Sequence, residues 1–314
     1  MSIAFIFPGQ GSQAVGMGAD LAKAYAEARA VFDEVDAALG QNLSGLMWEG
    51  PEQTLTLTEN AQPALMAVSL AAIRVLTEAK GLKLKDRVAY VAGHSLGEYS
   101  ALAAAGALSL SDAARLLKTR GRAMQEAVPV GQGAMAALLG ADLAQAEALA
   151  KEAAQGDVCQ AANDNAPGQV VISGTKEAIE RAIALAPKFG ARRAVPLPVS
   201  APFHCALMQP AADVMRDALR AVAIKAPAVP LVANVLASPI SDPEEIRARL
   251  VEQVTGMVRW RETMSFLKTN GATSVYEIGA GRVLTGIARR FEGIEARSVG
   301  TPDELEAVAA ALTT

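Results

Sequence analysis

An apolar run, Val88-Ala89-Tyr90-Val91-Ala92, leads without a break into Gly93-His94-Ser95-Leu96-Gly97, and a helix-forming stretch from Glu98 to Ala105 leaves it. That order requires a strand, a turn too tight for large flanking side chains, and a helix folding back over the strand, which is an α/β layer. Short apolar runs alternate with amphipathic segments along the rest of the chain. Strands are predicted at Ile3–Phe7, Arg87–Ala92, Leu231–Val235, Ser274–Ile278 and Ala296–Val299. Helices are predicted at Asp20–Leu39, at Pro63–Glu78, after Ser95 and at Asp112–Ala127.

The stretch from Gly133 to Pro198 has a different order. Strand (Ala134–Leu139), helix (Leu143–Ala154), strands (Val158–Ala162 and Val170–Ser173), helix (Lys176–Phe189) and strand (Arg192–Leu197) make a βαββαβ unit of ferredoxin-like type. Pro129 on one side and Pro196 and Pro198 on the other bound it as a small subdomain inserted into a larger one.

Half of the 314 residues are apolar, enough for a large core. The net charge of −4 argues against a nucleic-acid binder, which would carry a basic excess. Cys159 and Cys205 have neither metal-like nor disulfide-like spacing, so no metal is expected and a reducing compartment is. The segment from Met1 to Pro8 lacks a basic leader, and Ala101–Leu110 is far short of the roughly 20 apolar residues of a membrane span. The expectation is a soluble cytoplasmic protein with no membrane and no nucleic-acid partner.

Within G-x-S-x-G the serine hydroxyl is lifted clear of the backbone, and the helix start offers free amides to an oxyanion. An ordinary βα turn that merely needs glycine is the plainer alternative; strand, turn and helix together favour a nucleophile at Ser95. A serine nucleophile needs a base, and the chain holds only two histidines, His94 and His204. His94 adjoins Ser95 and should point away from its hydroxyl, which leaves His204, in Pro202-Phe203-His204-Cys205. A helical run from Ala206 to Ala221 follows, and its N-terminus would keep the imidazole neutral. No acid between 95 and 204 stands out as an orienting partner; a backbone carbonyl could serve instead.

Gly9-Gln10-Gly11-Ser12-Gln13, with Ala14, also fits the G-x-G-x-x-A dinucleotide fingerprint. The acid expected to end a second strand about 20 residues later is missing, since Asp33, Glu34 and Asp36 lie in a helical pattern. A loop giving a second oxyanion amide, from Gln10, or a plain tight turn remain. Arg120 shares a helix face with Leu116, Leu117, Ala123 and Met124. An inward guanidinium suits a carboxylate held at two points, against the alternatives of snorkelling to solvent or pairing with a buried acid.

Taken in order, Pro8–Gln13, Gly93–Tyr99, Arg120–Ala127, Asn165–Ile172, Pro202–Met208 and Glu277–Gly281 closely resemble the malonyl-CoA:acyl carrier protein transacylases. The resemblance implies an α/β fold, with an α/β-hydrolase-like catalytic subdomain over residues 1–128 and 198–314 and the ferredoxin-like subdomain at 129–197. It implies Ser95 as nucleophile, His204 as base, the amides of Gln10 and Leu96 as oxyanion hole, and Arg120 as the clamp on the malonyl carboxylate. The backbone carbonyl of Gln253 would orient the histidine. Asn163, Gln169, Arg192 and Arg193 match positions near the acyl and CoA groups. The substrates would be malonyl-CoA and acyl carrier protein, with no cofactor and a monomeric enzyme, and an acidic carrier protein implies a local basic patch. Phe203, where fatty-acid-synthesis members often carry a small residue, resembles malonyl-selective modules of polyketide synthases, although the rest of their H-A-F-H pattern is absent. The rival readings are a serine hydrolase and a carrier-protein docking module with a vestigial turn.

Overall fold

Ile, Phe and Ala fill β1 (Ser2–Phe7), and Ala4 to Phe7 are completely buried, the signature of a parallel strand covered on both faces. Beside it run β2 (Tyr90–Gly93) and, on the other flank, β9 (Ala272–Ile278). β10 (Glu295–Val299), β7 (Leu231–Val232) and β8 (Pro239–Ile240) complete a six-stranded sheet in the order β10-β9-β1-β2-β7-β8, parallel except for β8. The structure, a computed structural model, describes residues 2–312. Met1, Thr313 and Thr314, at the ends of the expected catalytic subdomain, lie outside the described residues.

A second, antiparallel sheet has the order β4-β5-β3-β6. Its strands are β3 (Gly133–Leu139), β4 (Cys159–Ala166), β5 (Gln169–Thr175) and β6 (Arg193–Pro196). The helices Leu143–Ala154 and Lys176–Leu185 pack on it over a separate apolar core. Asp142 and Gln145 cap the first of these reciprocally, which fixes where it starts. Main-chain bonds tie the small sheet to the large subdomain. The Asp164 N–H donates to Val258 O at 2.9 Å and the Val258 N–H to Ala162 O at 2.9 Å, so β4 runs beside the segment that links the helices Pro243–Glu252 and Trp260–Thr269.

The helix Thr58–Arg74 is buried around nearly its whole circumference and lies against the helix Leu110–Glu126. Gly121 permits that approach, since a Cβ there would sit 2.5 Å from Thr58 O. Ser109 caps the start of Leu110–Glu126 by accepting from the Asp112 N–H. Among the described residues no helix is long and apolar enough to cross a membrane.

Four local readings change. The helix expected over 20–39 is two, Ala19–Ala24 and Ala26–Leu39, because Tyr25 is extended and its hydroxyl donates to Glu306 at 2.7 Å. The helix expected from Pro63 starts at Thr58, so the proline lies inside it rather than at its first turn. The strand expected from Arg87 starts at Tyr90, Leu84–Arg87 being a helical turn. The strand expected over Leu231–Val235 stops at Val232, because Asn234 turns away to bond the serine turn. The helices Leu43–Glu49 and Glu52–Thr56 were not expected.

Candidate active site

The carboxyl ends of β1 and β2 place two loops side by side. Parallel pairing sets Phe7 opposite Gly93, and the His94 N–H donates to Phe7 O at 3.0 Å. The serine turn therefore leaves β2 directly against the Gly9–Gln13 loop. A Cβ on Gly9 would lie 2.9 Å from His94 O; one on Gly97 would strike Phe7 O, and one on Gly93 would strike Gly97 itself. These glycines are needed for close approach.

Ser95 is held at φ 53° and His204 at φ 58°, both left-handed. Such backbone costs of order 1–3 kcal/mol per non-glycine residue and persists only where the surroundings impose it. At Ser95 they do: its N–H donates to Asn234 Oδ1 at 2.8 Å, and Gln253 Nε2 donates to its carbonyl at 2.8 Å. Asn234 Nδ2 also donates to Gly93 O at 2.6 Å.

His204 Nε2 lies 2.7 Å from Ser95 Oγ. On the other side of the ring, Nδ1 faces two carbonyls, Gln253 O at 2.9 Å and Gly256 O at 3.1 Å. Carbonyls only accept, so the ring proton belongs on Nδ1 and Nε2 is left to accept from the serine hydroxyl. Burial, and then the Arg120 charge, lower the His204 pKa to about 3. The helical run expected after His204 opens as a short 3-10 turn, Ala206–Met208, which separates the histidine from the helix Gln209–Arg220.

Arg120 is only 1% exposed. Its Nη2 donates to Ser95 Oγ at 3.1 Å and to Gln253 Oε1 at 2.8 Å, and its Nη1 to Gln62 Oε1 at 2.9 Å. The guanidinium carbon stands 5.8 Å from the centre of the Tyr99 ring. Among the described residues no carboxylate lies within ion-pair distance of it, and its Nε has no partner. Burial lowers its pKa, Tyr99 and Glu98 opposing the shift. Ser95 Oγ thus accepts from a cation while donating to a neutral imidazole, an arrangement that favours its alkoxide.

A cavity of about 460 Å³ opens onto this cluster. Ser95, His204, Arg120, Gln10, Leu96, Asn163 and Phe203 all line it. The small sheet contributes Met135 and Asn163 to the wall. His94 turns from Ser95, its Nε2 bonding Asn165 Oδ1 at 2.8 Å, and burial lowers its pKa. Gln253 lies behind the cluster, fully buried. Gln169 begins β5, and Arg192 and Arg193, both exposed, lie at the start of β6; none of the three lines the cavity. Sequence reasoning missed Gln62, Asn234 and Glu98. Glu98 gave a signal, as the one charge in a helix start, Gly97–Leu102, whose other residues are uncharged.

A family model described as acyl transferase domain matches residues 4–294. A malonyl CoA-acyl carrier protein transacylase of Escherichia coli (strain K12) is 46% identical over 309 residues, covering 98% of each chain. The acyl-carrier-protein-S-malonyltransferase structure from Bartonella henselae superposes with a TM-score of 0.97 at 56% identity, covering 100% of both chains. A structure of a type II PKS acyl-carrier protein in complex with its malonyl-transacylase reaches a TM-score of 0.95 at 44% identity, over 99% of this chain and 100% of that one. The chain belongs to the malonyl CoA-acyl carrier protein transacylases, within the acyl transferase family.

Proposed function

We propose that the protein carries the malonyl group from malonyl-CoA to the phosphopantetheine thiol of acyl carrier protein as an ester on Ser95, supplying fatty-acid synthesis. The single observation that carries this is Ser95 Oγ, 2.7 Å from a neutral His204 Nε2 and 3.1 Å from the buried, carboxylate-free Arg120. Ser95 gives its proton to His204 and attacks the thioester carbonyl. The N–H groups of Gln10 and Leu96 stabilise the oxyanion, and the CoA thiolate leaves with the proton. The carrier thiol then attacks the ester in the same way, with His204 as base. Gln253 O orients the imidazole, while Arg120 grips the malonyl carboxylate.

Neither a metal nor a redox group has a step in this sequence. The strand orders support an α/β-hydrolase-like catalytic subdomain over 1–128 and 198–314 and a ferredoxin-like one over 129–197. Asn163 reaches the acyl group from the cavity wall, and Gln169, Arg192 and Arg193 serve the CoA moiety outside it. Phe203, on the cavity wall, disfavours an α-methyl branch, so methylmalonyl transfer at a rate comparable with malonyl would overturn that part. The setting we propose is a monomer in the cytoplasm.

The test is intact-protein mass after brief exposure to malonyl-CoA without acceptor, beside Ser95→Ala. A malonyl adduct on the parent alone is expected. Rapid release of free malonate would point to a hydrolase, and neither adduct nor turnover to a docking module.

A further inference from the structure

Behind the serine turn lies a carboxyl group that the transfer sequence leaves without a role. Glu98, on the first turn of the helix Gly97–Ala104, is 1% exposed. One of its oxygens accepts from the Asn234 N–H at 2.8 Å; the other accepts from Gln253 Nε2. Each donor belongs to a residue that grips the site on its other side. Asn234 holds the Ser95 N–H and Gly93 O. Gln253 holds Ser95 O and offers its Oε1 to Arg120.

We infer that Glu98 is a positioning residue for acyl transfer: its carboxylate pins the Asn234 main chain and the Gln253 side-chain amide, the two residues that hold Ser95 in its left-handed turn and, through Gln253, Arg120 against the serine hydroxyl. The lock has a polarity. A carboxylate accepts at both oxygens, so the Gln253 amide must present Nε2 to it and Oε1 to the guanidinium. A carboxyl proton has no acceptor in this arrangement. It would have to displace the Asn234 N–H or turn the Gln253 amide, setting N–H groups against Arg120. Glu98 also supplies negative charge to a guanidinium that has no carboxylate in contact. The charged or titratable groups around it are Arg120, Tyr99 and, beyond Ser95, His204. Burial pushes the Glu98 pKa up to about 8, against the pull of its amide donors and Arg120, so the lock should be set and released within an accessible pH range.

The inference rests on the serine-turn part of the proposed function. It is tested by the rate of Ser95 labelling in the intact protein between pH 6 and 9.5, with malonyl-CoA and separately with a fluorophosphonate, which needs only the nucleophile and its base. The parent should label slowly below about pH 7 and roughly 10- to 30-fold faster on a plateau above about pH 9, since the locking form is the ionised one. Glu98→Gln, which cannot ionise, should stay at the slow rate throughout and meet the parent at pH 6. Equal rates for Glu98→Gln and the parent at pH 9, or a parent profile flat from pH 6 to 9.5, would overturn the inference. The parent profile decides the matter even if the variant fails to fold. Fluorophosphonate labelling with the expected profile, but no malonyl adduct at any pH, would leave the lock standing and remove the malonyl reading instead.

Discussion

Ser95 and His204 stand on backbone bent into the left-handed region, whereas Arg120 projects from the middle of a regular 17-residue helix. His204 is held by main-chain carbonyls, and Ser95 is gripped at its own main-chain N–H and carbonyl by the amides of Asn234 and Gln253, beside glycines that have no room for a side chain. The arginine is held by side-chain amides, those of Gln62 and Gln253, and by burial. The serine and its base are thus placed by the path of the chain, which a sequence announces through glycine spacing. The cation is placed by packing, which a sequence shows only as a charge on an apolar face.

Removing the nucleophile should have the largest effect. Ser95→Ala is expected to cost about four orders of magnitude in transfer rate, with the fold intact by circular dichroism. Transfer that survived this change would mean the bent segment carries no chemistry, and the contrast with the helix would lose its meaning. Arg120→Met should lower kcat/KM for malonyl-CoA by about 100- to 1,000-fold. It should leave the melting temperature unchanged or higher, because a buried guanidinium without a carboxylate partner costs desolvation that a thioether does not. A large fall in melting temperature would show that the arginine belongs to the framework.

A paired glycine experiment sharpens the comparison on the turn side. Gly93→Ala should destabilise the protein by about 3 kcal/mol in urea unfolding, since its Cβ would strike Gly97. Gly286→Ala, in the helix Val283–Ala288 where a Cβ meets nothing, should stabilise by up to about 1 kcal/mol. Equal effects would deny that close approach singles out the turn.

The smallest effect concerns acid. His204 resists protonation in the folded state down to about pH 3 but takes a proton near 6.5 when unfolded. Its contribution to stability is therefore present above 6.5 and lost progressively as pH falls from there toward 3. The urea midpoint should drop between pH 7 and 4.5, less steeply in His204→Gln; identical slopes would count against a buried neutral imidazole.

The serine turn, the histidine and the alternation of strands and helices were legible because each is written in local pattern: glycines two residues either side of Ser95, scarcity of imidazole, periodic apolar residues. The break at Tyr25 was not, since a contact with Glu306 far along the chain decides it. Nor was the short β7, where Asn234 leaves the sheet for Ser95. Gln62, Asn234 and Gln253 act through amides, which look alike in sequence whether they face solvent or a guanidinium. The charge on Glu98 was visible; its partners were not, because both lie more than a hundred residues away.

The carbonyl that faces His204 Nδ1 belongs to the main chain of residue 253. Every amino acid supplies that oxygen, so no codon change can delete it. A substitution library at this position would report on the side chain's hold on Arg120 and Ser95 and say nothing of the imidazole's anchor. To probe that contact, the atom itself must be altered, for instance by replacing the following amide with an ester and so weakening the acceptor. Tolerance to mutation and dispensability are separate properties at residue 253.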